Sequence, residues 1–147
     1  MIKYIAYCRK SLEDEGRQIL SIISQQTEIK EFAKRENLNI IAWLTEAKTA
    51  KKPGREKFEE MMKIIESGKA DRIVAWNPDR LARNSVDGGR IIYDLDTGKI
   101  KDLKFPTFWF EDTSQGKFML NIPFYQQVRN HFKAVASADP TQPTHYL

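Results

Sequence analysis

Four arginines, one serine and one aspartate occupy positions from which they could act together on a phosphate group. They are Arg9, Ser11, Arg55, Asp79, Arg80 and Arg83. Arginine presents a planar set of donors that matches phosphate oxygens, and it keeps its charge near neutral pH. Such cations stabilise the extra negative charge of a phosphoryl-transfer transition state. A serine hydroxyl among them is a plausible nucleophile, since the cations help to release its proton. The pattern therefore predicts a phosphodiester site.

Other kinds of active site find less support in the sequence. A hydrolase triad needs a histidine base, but His131 and His145 both lie in the C-terminal tail, so no base is available. No arginine follows Cys8 at the spacing that a phosphate-binding loop needs, so we interpret Cys8 as a small core residue. The chain contains no nucleoside-triphosphate motif and no cluster of metal ligands. We expect neither a cofactor nor a metal.

Taken one at a time, the candidate residues also have ordinary structural interpretations. Arg9 and Ser11 could simply end a strand and begin a turn, and Asp79 could serve only as a helix N-cap. Arg80 and Arg83 stand three residues apart and could lie on a solvated helix face. Only their joint placement favours a shared site.

The hydrophobic pattern predicts the elements that must position these residues. Apolar runs predict strands at residues 2–8, 39–45, 72–76 and 104–110. Apolar residues at helical spacing predict helices at about 19–37, 58–67, 80–93 and 115–122. Strands that alternate with helices of this length form right-handed crossovers. The predicted fold is α/β, with a mainly parallel sheet of four to five strands flanked by helices.

Ligands of such folds bind outside the carboxyl ends of the strands. The first predicted strand leads to Arg9 and Ser11, the second to Arg55, and the third to residues 79–83. Arg55 follows a stretch from Glu46 to Gly54 that is rich in lysine, proline and glycine, which predicts an exposed and mobile loop. The candidate residues are therefore expected to meet at one edge of the sheet.

The overall composition limits the class of protein. A chain of 147 residues fits one domain, and its apolar content of 41% is ordinary for a globular protein. The net charge of +4 is compatible with a polyanionic partner. A single cysteine excludes an internal disulfide, and no apolar run reaches the roughly 18 residues of a membrane span. We expect a soluble cytoplasmic protein.

Four segments together resemble the motifs of the serine recombinase catalytic domain, of the resolvase and invertase type. They are Tyr7-x-Arg9-x-Ser11, Ser21-Ile22-x-x-Gln25, Glu46–Ala50 with Gly54-Arg55, and Asp79-Arg80-Leu81-Ala82-Arg83. The order and spacing of the four resemble those of the family, and the likeness covers roughly residues 2–122. Residues 109–122 are further similar to the conjugative-transposon branch of large serine recombinases.

The resemblance implies a defined reaction. Ser11 would attack a DNA phosphodiester, leaving the DNA joined through a 5′-phosphoserine and releasing a 3′ hydroxyl. The scissile phosphate would be bound by Arg9, Arg55, Arg80 and Arg83. Asp79 and Gln25 would have supporting or proton-handling roles. Because rejoining conserves bond energy, the family needs neither ATP nor an obligatory metal.

The resemblance also implies a partner and an assembly. Family members exchange DNA strands within a tetramer built from dimers, through a long helix after the catalytic domain. We assign residues 1–122 to the catalytic domain with the start of that helix, and residues 123–147 to an atypical segment, disordered from about 138. Without a region that reads bases, only phosphate contacts remain, so we expect weak, non-specific DNA binding and no recombination by this chain alone.

Two other functions remain compatible with the sequence. The chain could be a non-catalytic remnant that dimerises with, or regulates, a full-length recombinase. It could also be a phosphoesterase that hydrolyses the covalent intermediate instead of rejoining it. A test for protein attached to a DNA 5′ end separates the three.

Overall fold

A four-stranded parallel sheet forms the centre of the fold. The computed structural model describes residues 2–10, 21–47, 56–121 and 123. Its strands are β1 (Tyr4–Lys10), β2 (Ile40–Ala47), β3 (Arg72–Ala75) and β4 (Asp102–Lys104). They lie in the order β2-β1-β3-β4, and each neighbouring pair is parallel. The helices are α1 (Ile22–Glu36), α2 (Glu56–Glu66), α3 (Ser85–Asp96) and α4 (residues 114–121). The predicted α/β fold is confirmed.

The central strand β1 is buried on both faces, as expected for a parallel sheet covered by helices. Its side chains alternate between two apolar clusters because successive residues of a strand point to opposite faces. Tyr4, Ala6 and Cys8 pack with Ile29 of α1. The opposite cluster contains Ile5 and Tyr7, together with apolar residues of α2, α3 and α4. This packing holds the carboxyl end of β1 rigidly between helices.

The first strand continues beyond its predicted end at Cys8. β1 runs to Lys10, so Arg9 lies inside the strand and is paired in register with Glu46. A charged residue normally marks the end of a buried strand, which is why hydropathy placed the boundary too early. The strand β2 likewise extends past Thr45 to Ala47, so Glu46 is not the first residue of an exposed loop.

The segment after β3 differs most from the prediction. A short 3-10 turn spans Pro78–Arg80, and the Asn77 side chain accepts a hydrogen bond from the Asp79 N–H. The following helix α3 begins only at Ser85, where Asn84 is the N-cap. The prediction that Asp79 caps a helix starting near Arg80 is therefore wrong. Asparagine is as good a cap as aspartate, and two asparagines flank this segment.

The fourth strand is shorter than predicted and begins earlier. β4 spans Asp102–Lys104, and Phe105 then forms an antiparallel bridge with Phe108. The turn between them contains Pro106, which cannot donate a hydrogen bond to a neighbouring strand. The two rings pack edge to face with centroids 5.9 Å apart. This turn ends the strand before Trp109.

The carboxyl ends of α1 and α2 and the start of α4 agree with the sequence. The α1 helix ends at Glu36, and Asn37 adopts the left-handed conformation with φ 58°. Gly68 follows α2 with φ +80°, the left-handed conformation in which glycine commonly ends a helix. Residues 114–121 are helical, close to the predicted start at Gln115. Within the described ranges, no helix has the length and apolar content needed to cross a bilayer.

Candidate active site

The carboxyl ends of β1 and β3 bring together five of the seven predicted site residues. These are Arg9, Gln25, Asp79, Arg80 and Arg83. Ser11 and Arg55 lie outside the described residues, as do residues 48–54 of the predicted loop. The described part of the site consists of the carboxyl end of β1, the start of α1 and the segment after β3.

Arg9 connects the first strand with the turn that follows the third. Its side chain is only 1% exposed, and its Nη2 donates a hydrogen bond to the Asp79 carbonyl oxygen at 2.5 Å. The two residues are separated by 70 positions in the chain. This contact joins the carboxyl end of β1 to the Asp79–Arg83 segment, as the sequence predicted for residues at neighbouring strand ends.

Gln25 holds the main chain of Arg9 from the first turns of α1. Its Nε2 donates to the Arg9 carbonyl oxygen at 3.0 Å, and its Oε1 accepts from the Arg9 N–H at 3.3 Å. The strand β3 pairs with β1 only as far as Tyr7. The buried Gln25 amide thus satisfies main-chain groups that a longer neighbouring strand would otherwise have satisfied.

Arg80 is buried in the 3-10 turn and is held by its neighbour. Only 2% of its side chain is exposed, and its Nε lies 3.2 Å from Asp79 Oδ1. The Asp79 carboxylate remains 37% exposed, so it lies at the boundary between the buried guanidinium and solvent. The preceding Asn77 fixes the turn by accepting the Asp79 N–H. This geometry sets the orientation of the Arg80 side chain.

Arg83 pairs with Asp87, an acidic residue that is not part of the motifs identified in the sequence. Its Nε lies 3.6 Å from Asp87 Oδ2, and the Asp87 side chain is completely buried. The Asp87 N–H donates to Asn84 at the N-cap of α3, so the carboxylate is part of a well-ordered first turn. The four-residue spacing of arginine and aspartate was a signal available in the sequence.

Tyr7 and Glu46 form a second buried polar pair beside the arginines. The Tyr7 hydroxyl donates to Glu46 Oε1 at 2.5 Å. Burial and this bond to a carboxylate raise the pKa of Tyr7 far above its ordinary value, while Arg9 and Arg83 act in the opposite direction. Sequence reasoning placed Glu46 in an exposed loop, although it shares alternate spacing with the buried Leu44.

Cys8 does not contribute a nucleophile to this site. Its side chain is fully buried on the α1 face of the sheet, and burial raises the pKa of the thiol to about 12. The thiolate required for nucleophilic chemistry is thus strongly disfavoured. Among the described residues, no three side chains of the metal-ligating types are grouped as a metal site would require.

The geometry supplies a set of oriented guanidinium groups at the end of two buried strands. Arg9 is held by a carbonyl oxygen, Arg80 by Asp79, and Arg83 by Asp87. Donors that are already oriented need little rearrangement when charge develops on a bound phosphate. Such an arrangement can bind a phosphodiester and stabilise its transition state.

Comparison with known proteins agrees with this description of the fold. The model of the family described as "Resolvase, N terminal domain" matches residues 4–125. No curated protein sequence matches the chain. Among solved structures, a resolvase family site-specific recombinase from Streptococcus pneumoniae is 23% identical with a TM-score of 0.64, covering 94% of both chains.

Two further structures share the fold. The N-terminal catalytic domain of TP901-1 integrase has a TM-score of 0.59 and 20% identity, over 90% of this chain and 97% of its own. The C-terminal catalytic domain of ISC1926 TnpA, an IS607-like serine recombinase, has a TM-score of 0.54 and 14% identity, over 82% and 78%. At these identities the likeness concerns the fold alone.

Proposed function

The chain belongs to the resolvase family of serine recombinases, and we propose that Ser11 is the nucleophile of its DNA strand-transfer reaction. It is the catalytic domain of a site-specific recombinase. The family acts on DNA and works as an assembly of subunits. We also propose roles for individual residues and an activity for this chain by itself.

The proposed reaction exchanges one phosphate ester for another. The Ser11 Oγ attacks phosphorus, a new Oγ–P bond forms, and the bond from phosphorus to the 3′ oxygen breaks. The serine proton leaves with the cations' help, and the departing 3′ oxygen takes up a proton. The product is a 5′-phosphoserine and a free 3′ hydroxyl. Attack by a 3′ hydroxyl on the phosphoserine reverses the step, so neither ATP nor a redox partner enters the balance.

The arginines are proposed to bind the scissile phosphate. Arg9, Arg80 and Arg83 lie at the end of β1 and in the segment after β3, and Arg55 precedes the first residue of α2. Asp79 orients Arg80, and Gln25 holds the backbone of Arg9. We assign both of these residues supporting roles.

One observation carries the proposal most directly. The hydrogen bond between Arg9 and the Asp79 carbonyl oxygen joins two segments that are far apart in the chain. Ser11 follows Arg9 by two positions, so the nucleophile is tied in sequence to a buried guanidinium of the site. A phosphate held by these arginines would lie near the carboxyl end of β1.

We also propose domain bounds, a mode of DNA binding, a state of association and a location in the cell. Residues 1–122 would form the catalytic domain and residues 123–147 an atypical segment. The 147-residue chain alone would bind DNA weakly through phosphates, associate into dimers or tetramers only in a full-length context, and act in the cytoplasm.

The proposal is tested by capturing the covalent intermediate. The chain is incubated with a randomised library of nicked DNA duplexes, denatured, and analysed for protein attached to a DNA 5′ end. We expect attachment by the wild-type chain and none by Ser11→Ala, which should fold normally. Attachment that survives Ser11→Ala would disprove the assignment of the nucleophile. Release of a free 5′ phosphate, without rejoining, would indicate hydrolysis.

A further inference from the structure

Glu46 contacts two different elements with its two carboxylate oxygens. Its Oε1 accepts from the Tyr7 hydroxyl of β1 at 2.5 Å, and its Oε2 accepts from the Lys57 N–H of α2 at 3.2 Å. Only 4% of the residue is exposed. The N–H groups of a helix's first turn have no partner within the helix, so an acceptor side chain there satisfies one of them. Glu46 therefore caps α2 from a neighbouring strand.

A second contact holds the same turn of α2 against the same residue of β1. The Phe58 ring packs edge to face on Tyr7, with centroids 6.0 Å apart and planes at 78°. Both side chains are fully buried. The first turn of α2 is thus joined to β1 by one chain of hydrogen bonds and by one aromatic contact. Tyr7 lies two residues before Arg9 on the same face of the strand, and Glu46 is paired in register with Arg9.

We propose that Glu46 is a positioning residue that fixes the first turn of α2 relative to the strand carrying Arg9. The functional part rests on the proposed function, because Arg55, a proposed phosphate ligand, immediately precedes α2 in the sequence. Arg55 is bonded directly to Glu56, the first residue of α2, so the placement of this turn bears on the proposed role of Arg55. The role depends on the reach of the side chain, which must span two hydrogen bonds, and not on its negative charge.

Two substitutions of Glu46 separate reach from charge. Glu46→Gln keeps the length: its carbonyl oxygen can accept from the Lys57 N–H while its NH₂ donates to the Tyr7 hydroxyl oxygen. Glu46→Asp keeps the charge but is one methylene shorter, so it cannot reach both partners. Glu60→Gln is the matched control, because the exposed Glu60 carboxylate of the same helix pairs with the exposed side chain of Lys57.

Amide hydrogen exchange at Lys57 tests the structural part independently of any activity. We expect exchange roughly tenfold faster in Glu46→Asp, equivalent to about 1.4 kcal/mol of lost protection. Glu46→Gln and Glu60→Gln should exchange at nearly the wild-type rate. The opposite order, with Asp protected and Gln exposed, would show that charge and not reach is responsible and would overturn the proposal. Unchanged exchange in all variants would also overturn it.

The rate of covalent DNA attachment tests the functional part. At saturating DNA, we expect Glu46→Asp to slow attachment by about tenfold to a hundredfold with unchanged DNA affinity, since misplacement of a binding group costs rate. Glu46→Gln should restore most of the rate. Equal rates in Asp and wild type would defeat this part. If the wild-type chain forms no adduct at all, the proposed function fails together with this part, while the Lys57 amide result stands by itself.

Discussion

Individual residues at this site place positive charge where apolar side chains usually lie. Arg9 and Arg80 are buried almost completely, and removing a guanidinium from water is costly unless it is paired. The protein offsets this cost with the Asp79 carbonyl oxygen and the Asp79 carboxylate. Buried guanidinium groups that are already oriented are typical of a binding site for an anion, because the donors are in position before the ligand arrives.

Replacement of Arg80 should therefore remove stabilisation by phosphate. A ligand selective for the native state raises its stability by about 2.7 kcal/mol at a concentration one hundred times its Kd. We expect added inorganic phosphate to raise the melting temperature of the wild-type chain and to have little effect on Arg80→Ala. Arg72→Ala is the control, since Arg72 pairs with Asp71 at the amino end of β3. Equal phosphate shifts in both variants would mean that Arg80 does not bind the anion.

Cys8 provides a pH-dependent test of the buried strand. Burial raises the pKa of its thiol from 9.0 to about 12, so the native protein keeps a proton that the unfolded chain loses between these values. Stability should therefore fall as pH rises through this window. In the folded chain, alkylation by iodoacetamide should stay slow up to about pH 11, whereas in urea it should rise near pH 9. Equal rates in both conditions at pH 9 would contradict the burial of Cys8.

Elements at this site are held mainly by their ends. Gln25 holds the carboxyl end of β1 from α1, and Glu46 joins β2 to the start of α2. Asn77 begins the turn that carries Arg80, and Asn84 begins the helix whose Asp87 pairs with Arg83. Because side chains from one element satisfy the main chain of another, the strand ends are fixed even where the sheet itself stops pairing.

The start of α4 depends on a close approach between two stretches of main chain. A Cβ on Gly116 would lie 1.8 Å from the Glu111 carbonyl oxygen, so an alanine there must displace backbone. We expect Gly116→Ala to destabilise the fold by about 1–3 kcal/mol in urea denaturation. Gly89 lies inside α3, and a Cβ there would meet nothing within 4 Å. Gly89→Ala should instead stabilise by about 0.5–1 kcal/mol, and a loss at both positions would show that the contact at Gly116 is not specific.

At the scale of the whole molecule, charge is spread over the chain and is only mildly positive. There are 24 lysines and arginines against 20 acidic residues, a net charge of +4. Several of the basic groups at the site are paired with carboxylates. Long-range attraction to DNA is therefore modest, and close phosphate contacts must supply most of the affinity.

The isolated chain should bind DNA weakly and without sequence preference. We expect similar affinities for unrelated duplexes in fluorescence anisotropy, with a linear fall of log affinity against log salt. Arg80→Ala should reduce that slope by about one. Light scattering should find a monomer or a weak dimer. Tight binding to one sequence at moderate salt, or a stable tetramer, would show that residues 123–147 contribute more than we assign to them.

The sequence by itself determined the α/β class, the alternation of strands with helices, the parallel pairing of the strands, and the edge of the sheet where Arg9 meets the segment after β3. Periodicity was sufficient for this because strands buried on two faces and amphipathic helices leave different apolar patterns. Helix ends were also legible, since Asn37 and Gly68 occupy left-handed positions that few residues tolerate. The convergence of Arg9 with the segment after β3 followed from topology alone.

Only the tertiary structure decided which polar groups are buried and what holds them. Hydropathy ended β1 at Cys8 and placed Glu46 in a loop, because a charged residue is rarely buried unless a distant partner satisfies it. The partners of Arg9 and Glu46 are 70 and 39 positions away, so no local pattern could reveal them. Similarly, the helix predicted from Arg80 was replaced by a 3-10 turn, since Asn77 and Asn84 set the two starts.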